Sequence, residues 1–145
     1  MNERLNEILK AHIKEFEEVS DEIWEHPETR YQEFQSSRIQ IEFLKERGFR
    51  VTEEIAGIKT AFVAEAGEGK PVIAFLGEFD ALPGLSQYAD CPYENAIEEG
   101  KAGHGCGHNL LGTGAMEAAC VIKQYIEENN IKATVRYYGC PAEES

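Results

Sequence analysis

Apolar residues recur at three- and four-residue steps near the N-terminus: Leu5, Ile8, Leu9, His12, Ile13, Phe16, Val19, Ile23 and Trp24, with Glu and Lys between them. This period predicts an amphipathic helix over residues 3–25. His26-Pro27 ends it, because the residue before proline is pushed out of the α region. A second helix is expected over about residues 36–47, with Ile39, Phe43 and Leu44 (Ile41 alongside) as its apolar face and Gly48 as its stop.

Strand-like patterns follow. Residues 49–53 and 60–65 have strand composition, and Gly67-Glu68-Gly69-Lys70 reads as a turn. Val72-Ile73-Ala74-Phe75-Leu76 is continuously apolar, which predicts a strand buried on both faces. Residues 83–107 are rich in Gly, Pro, Asp and Tyr without a period, and so long a loop in a compact domain is usually functional. The helical period returns over 109–128, with Leu110, Met116, Ala119, Cys120, Val121, Ile122 and Ile126 supplying apolar surface, and residues 133–139 are again strand-like. This order predicts an α/β or α+β layered domain: two N-terminal helices, then a mixed sheet with flanking helices.

A length of 145 residues fits one such domain. The net charge of −13 is spread along the chain and offers no basic patch for phosphates, which argues against nucleic-acid binding and against an anionic membrane surface. No apolar run reaches the ~18 residues of a membrane span, and the charged, amphipathic N-terminus does not read as a signal peptide. The cytoplasm is therefore the expected location. Four cysteines at irregular spacing, with no CxxC pair, are expected to be reduced.

Three segments carry candidate chemistry. Gly77-Glu78-Phe79-Asp80-Ala81-Leu82-Pro83-Gly84 brings two carboxylates out of an apolar strand end, where α/β sheets hold ligands, although alone it reads as surface turn chemistry. Gly103-His104-Gly105-Cys106-Gly107-His108-Asn109 sets two imidazoles and a thiol on a glycine-rich backbone at a helix start. Cys and His are the preferred ligands of zinc and similar ions, and the helix N-terminus is expected to favour thiolate at Cys106. A nucleophilic Cys106 with a histidine base is the rival reading. Pro141-Ala142-Glu143-Glu144 follows the last strand-like run; on extended backbone, adjacent glutamates point to opposite sides, one toward a metal and the other toward a water as general base. A solvated charge pair is the ordinary explanation of Glu-Glu alone.

Taken in order, GEFDALPG, GHGCGHN and GCPAEE resemble the M20 family of metallopeptidases and amidohydrolases, and within it the aminobenzoyl-glutamate utilization protein B-type amidohydrolases. The resemblance spans essentially the whole chain and implies a layered, zinc-peptidase-like catalytic domain. By position it implies Cys106, His108 and Glu144 as metal ligands, Glu143 as general base and Asp80 as a group orienting a ligand beside the metals. His104 matches no ligand of the family. Many members carry a His ligand two residues before the aspartate, where this chain has Glu78, which is left without a role.

The resemblance further implies two divalent ions, zinc or manganese, and hydrolysis of the amide bond of an N-acyl amino acid, aminobenzoyl-glutamate-like or dipeptide-like substrate through a metal-activated water. Members are longer, so residues 1–145 are expected to be the N-terminal part of one catalytic domain, lacking the lid or dimerisation domain and further ligands. On that expectation the isolated 145-residue chain is inactive, and the full-length protein is a homodimer. A non-catalytic fold unit and a Cys106 thiol hydrolase are the alternatives.

Overall fold

In a computed structural model that describes residues 3–145, the N-terminal apolar stripe winds into α1 (Glu3–Glu25), burying Ile8, Phe16, Val19 and Ile23. Its C-terminal end is closed by His26, whose backbone N–H donates to Ile23 O at 3.0 Å. The second helix, α2 (Phe34–Glu46), starts earlier than its apolar pattern predicts. The reason is remote: the Glu28 carboxylate accepts from the backbone N–H of Gln35 at 3.0 Å and Ser36 at 2.8 Å, satisfying first-turn donors no residue of the helix can reach.

The buried face of α2 is also more polar than expected. Ile41 and Leu44 are in the core with Ser36, Ser37 and Gln40, while Ile39 and Phe43 are half-buried against it. Each polar group has a partner: Ser37 Oγ donates to Thr60 O at 3.0 Å, and Tyr137 Oη donates to Gln40 Oε1 at 2.5 Å.

Four strands follow: β1 (Arg50–Glu53), β2 (Phe62–Gly67), β3 (Val72–Glu78) and, after helix α3 (His108–Glu128), β4 (Thr134–Cys140). The sheet order is β1-β2-β4-β3, antiparallel except for the parallel β3–β4 pair. Phe62, Ala64 and Ala66 of β2 and Val135 and Tyr137 of β4 face one core shared with all three helices. On the open face Glu65 accepts from Arg136 Nε at 2.6 Å and from Arg50 Nη2 at 3.0 Å.

The apolar run in β3 is not buried on both faces as predicted. Val72, Ile73, Ala74 and Leu76 are exposed, and Phe75 is half-buried. The cause is topological: β4, last in the chain, inserts between β2 and β3 and leaves β3 at the sheet edge. Leu110 is likewise exposed, because it falls off the α3 stripe formed by His108, Gly112, Met116 and Ala119.

Two features carry α3 to the site. It lies so close to the end of β3 that a side chain at Gly112 would collide with the Glu78 carbonyl, so glycine there permits the approach. The parallel β3 and β4 also end side by side, with Glu78 opposite Cys140, so both following turns emerge next to the first residue of α3.

Candidate metal centre

His108 is the middle of the arrangement. It opens α3 and is buried, with its ring held between the two strand ends. Asp80, also buried, stands with Oδ1 2.9 Å from His108 Nδ1. A carboxylate accepts, so Nδ1 carries the hydrogen and Nε2 presents its lone pair outward. Around Nε2 lie Glu78 Oε2 at 3.2 Å, Glu143 Oε2 at 3.8 Å and Glu144 Oε1 at 4.0 Å.

Gly107, at φ 81°, brings the neighbouring thiol to the same place: its left-handed backbone folds Cys106 and His108 toward one point. Ligand atoms of Cys106, His108 and Glu144 lie within 4.8 Å of one another, as do those of Glu78, His108 and Glu143. Donors roughly 2.0–2.3 Å from one ion stand up to about 4.6 Å apart, close to this spacing. Glu78, which the motifs left without a role, is thus a member of the second donor set.

Asp80 has a second contact. Its Oδ2 accepts from the backbone N–H of Glu144 at 3.0 Å, so one buried carboxylate touches both the imidazole and the glutamate turn. That turn departs from expectation. Ala142 takes a left-handed φ of 59°, and residues 143–144 form a turn rather than extended backbone. The two glutamates therefore converge on His108 instead of diverging to opposite sides.

Electrostatically the cluster lacks a counter-charge. Among the described residues no Lys or Arg pairs with Glu78, Asp80, Glu143 or Glu144; the basic side chain within reach of all four is the His108 ring. The carboxylates dominate the thiol: a hydrogen bond to Glu144, with burial and the charges of Glu144, Glu143 and Glu78, pushes the Cys106 pKa up. This reverses the thiolate expected from the helix terminus and disfavours a Cys106 nucleophile. A cation among these groups would invert the bias, since a coordinating thiol deprotonates. Soft sulfur, imidazole and carboxylate donors around unbalanced negative charge fit a divalent ion.

His104, two residues before Cys106, turns elsewhere. Its Nε2 lies 3.2 Å from Ile23 O, and its buried Nδ1 finds no hydrogen-bond partner among the described residues. Burial pushes its pKa down, so the ring stays neutral. It lines a cavity of about 460 Å³ with Trp24, Leu85, Tyr88, Ile97 and Lys101, which neither Cys106 nor His108 reaches.

No family model matches the chain. It is 47% identical over 140 residues to a subunit of the p-aminobenzoyl-glutamate hydrolase of Escherichia coli (strain K12), covering 97% of this chain and 29% of that protein. It is 32% identical over 130 residues to hippurate hydrolase of Campylobacter jejuni, covering 90% of this chain and 32% of the relative. Among solved structures it superposes with a TM-score of 0.76 on the Bacillus subtilis YXEP protein, a dinuclear metal binding peptidase from the M20 family, at 28% identity over 93% of this chain and 36% of that one. The chain thus spans about a third of the length of the proteins it matches.

Proposed function

The chain belongs to the M20 family of metallopeptidases and amidohydrolases, and on that premise we propose that it is the N-terminal part of the catalytic domain of a metal-dependent amidohydrolase. The observation that carries this reading is the pair of donor sets sharing His108, in a cluster of carboxylates with no Lys or Arg partner among the described residues. Cys106, His108 and Glu144 would hold one ion, and Glu78 extends the donor surface beside it. Zinc suits the sulfur and imidazole donors and manganese the carboxylates. Two divalent ions would supply Lewis acidity toward the amide carbonyl and make water more acidic.

The remaining steps belong to side chains of this chain. Asp80 fixes the His108 tautomer and holds the Glu144 backbone, keeping the donors in place before substrate arrives. Glu143, half exposed, accepts the proton of the water that attacks the amide carbon. As the C–N bond breaks, it returns that proton to the leaving amine nitrogen.

The substrate class is an N-acyl amino acid or dipeptide-like amide. Aminobenzoyl-glutamate and hippurate, for which two relatives are named, are both amides joining an aromatic acyl group to an amino acid. The full-length protein is proposed to pair as a homodimer in the cytoplasm, a compartment in keeping with four free cysteines. No described helix is long and apolar enough to cross a membrane.

Glu143→Gln in the full-length protein tests the assignment. Turnover of aminobenzoyl-glutamate is expected to fall by at least about 100-fold, with metal content by elemental analysis nearly unchanged. Turnover near the parent level would remove Glu143 as the base.

A further inference from the structure

Glu33 ends the segment between α1 and α2, remote in sequence from every candidate donor, yet it is fully buried. All its side-chain hydrogen bonds come from neutral groups. The backbone N–H of Tyr31 at 2.9 Å and of Ala142 at 3.0 Å both reach Oε1, and the Thr60 hydroxyl reaches Oε2 at 3.0 Å. Burial pushes its carboxyl pKa up, and its own backbone N–H together with those donors pulls it back only in part.

A buried carboxylate with no cation beside it is costly, and a position needing only packing is better served by an apolar side chain. What this carboxylate holds explains its presence. Tyr31 and Ala142, the two backbone donors, have φ of 60° and 59°, a region that non-glycine residues keep only when their surroundings over-determine it. Ala142 is the point at which the chain leaves β4 and turns Glu143 and Glu144 toward His108.

The same segment grips the other strand end. Glu28 O accepts from Ala81 N at 2.8 Å, and Thr29 bridges Ala81 in parallel, immediately after Asp80. Residues 28–33 are therefore a strap across both turns that deliver carboxylates: Glu28 secures the one after β3, and Glu33 the one after β4. Asp80 ties the Glu144 N–H from the front at 3.0 Å, while Glu33 ties the Ala142 N–H from behind at 3.0 Å.

We propose that Glu33 is a positioning residue for the metal centre, its carboxylate setting the left-handed turn at Ala142 that brings Glu143 and Glu144 to His108. The proposal rests on the metallohydrolase reading above. The loss of Glu33 acts on the donors through the backbone, so metal retention and kcat change together while contacts to substrate do not.

The test uses the full-length protein with Glu33→Ala, Glu33→Gln and Thr60→Val, measuring zinc affinity against a competing chelator, kcat and KM for aminobenzoyl-glutamate, and circular dichroism. Glu33→Ala is expected to weaken zinc binding and lower kcat by about 10-fold or more, as loss of a group supporting metal ligands does, with KM within about 3-fold. Glu33→Gln keeps an oxygen that accepts both N–H groups and an amide that faces the Thr60 oxygen, so it should stay within about 3-fold of the parent on all counts. A folded Glu33→Ala with parental zinc affinity and kcat overturns the proposal and leaves the metallohydrolase reading standing. If Glu33→Ala does not fold, Thr60→Val loosens the same carboxylate from its other oxygen. A fall in zinc affinity of about 3-fold then supports the role, and no change overturns it. A full-length parent that binds neither zinc nor manganese overturns both.

Discussion

Two groups of carboxylates lie at opposite ends of the chemistry of this sheet. On its open face Glu65 sits between Arg136 and Arg50, and their hydrogen bonds and charges hold its pKa below the usual carboxylate range. At the strand ends Glu78, Asp80, Glu143 and Glu144 gather around one imidazole with no such partner among the described residues. The first group is balanced by the chain itself and asks for nothing more. The second has no such balance among the described residues, and that asymmetry, rather than the number of acids, supports the metal-centre reading.

The largest expected effect follows from supplying the cation. Zinc or manganese at about 100 times its Kd should stabilise the full-length protein by about 2.7 kcal/mol, read as a rise in Tm. The rise should vanish in His108→Ala. A rise that survives that change would break the contrast by showing that the metal binds elsewhere.

A smaller effect concerns the acids themselves, and its sign should differ between the groups. In metal-free protein Glu144→Gln relieves like-charge repulsion and should raise stability by up to about 1 kcal/mol, whereas Glu65→Gln removes an attractive pair and should lower it by no more than about 1 kcal/mol, less in high salt. Urea unfolding at neutral pH measures both. Equal signs would mean that the strand-end cluster is not self-repelling.

The smallest effect is a pair of opposite pH dependences. Glu65, held low by Arg136 and Arg50, contributes stability above its ordinary pKa of 4.5 that is lost as pH falls through its lowered value. Glu33, raised by burial, binds its proton more tightly folded than unfolded, so its contribution is complete below 4.5 and declines as pH rises through its raised value. The Tm of the parent minus that of Glu65→Gln should therefore shrink toward acid, whereas the Tm of the parent minus that of Glu33→Gln should fall as pH rises above 4.5, the variant gaining on the parent. Parallel curves would contradict the environments described for both residues.

Sequence reading reached as far as local rules extend. The α1 stripe and the Cys106-Gly107-His108 turn are legible because a helix period and a glycine hinge act within a few residues. Glu78 was not, since its role depends on α3 lying against β3 at Gly112. The exposure of Val72, Ile73 and Leu76 was hidden for a related reason: an apolar strand looks alike at the centre and the edge, and only the insertion of residues 134–140 beside it decides which it is. The convergence of Glu143 and Glu144 turns on a left-handed alanine, a residue type that announces nothing of the kind. Glu33 lacks any local signal, because its donors come from positions 31, 60 and 142.

The bond between Ala142 and Glu33 joins residues 109 positions apart, which gives the centre a history as well as a geometry. A ribosome adding roughly 5–20 residues each second takes on the order of 5–20 s to travel from one to the other. Through that interval the early acids, and later the thiol and imidazole, emerge from synthesis without the turn that brings Glu143 and Glu144 beside them. The Glu33 carboxylate is thereby made seconds before the Ala142 N–H that it holds, so the strap waits for the turn it secures.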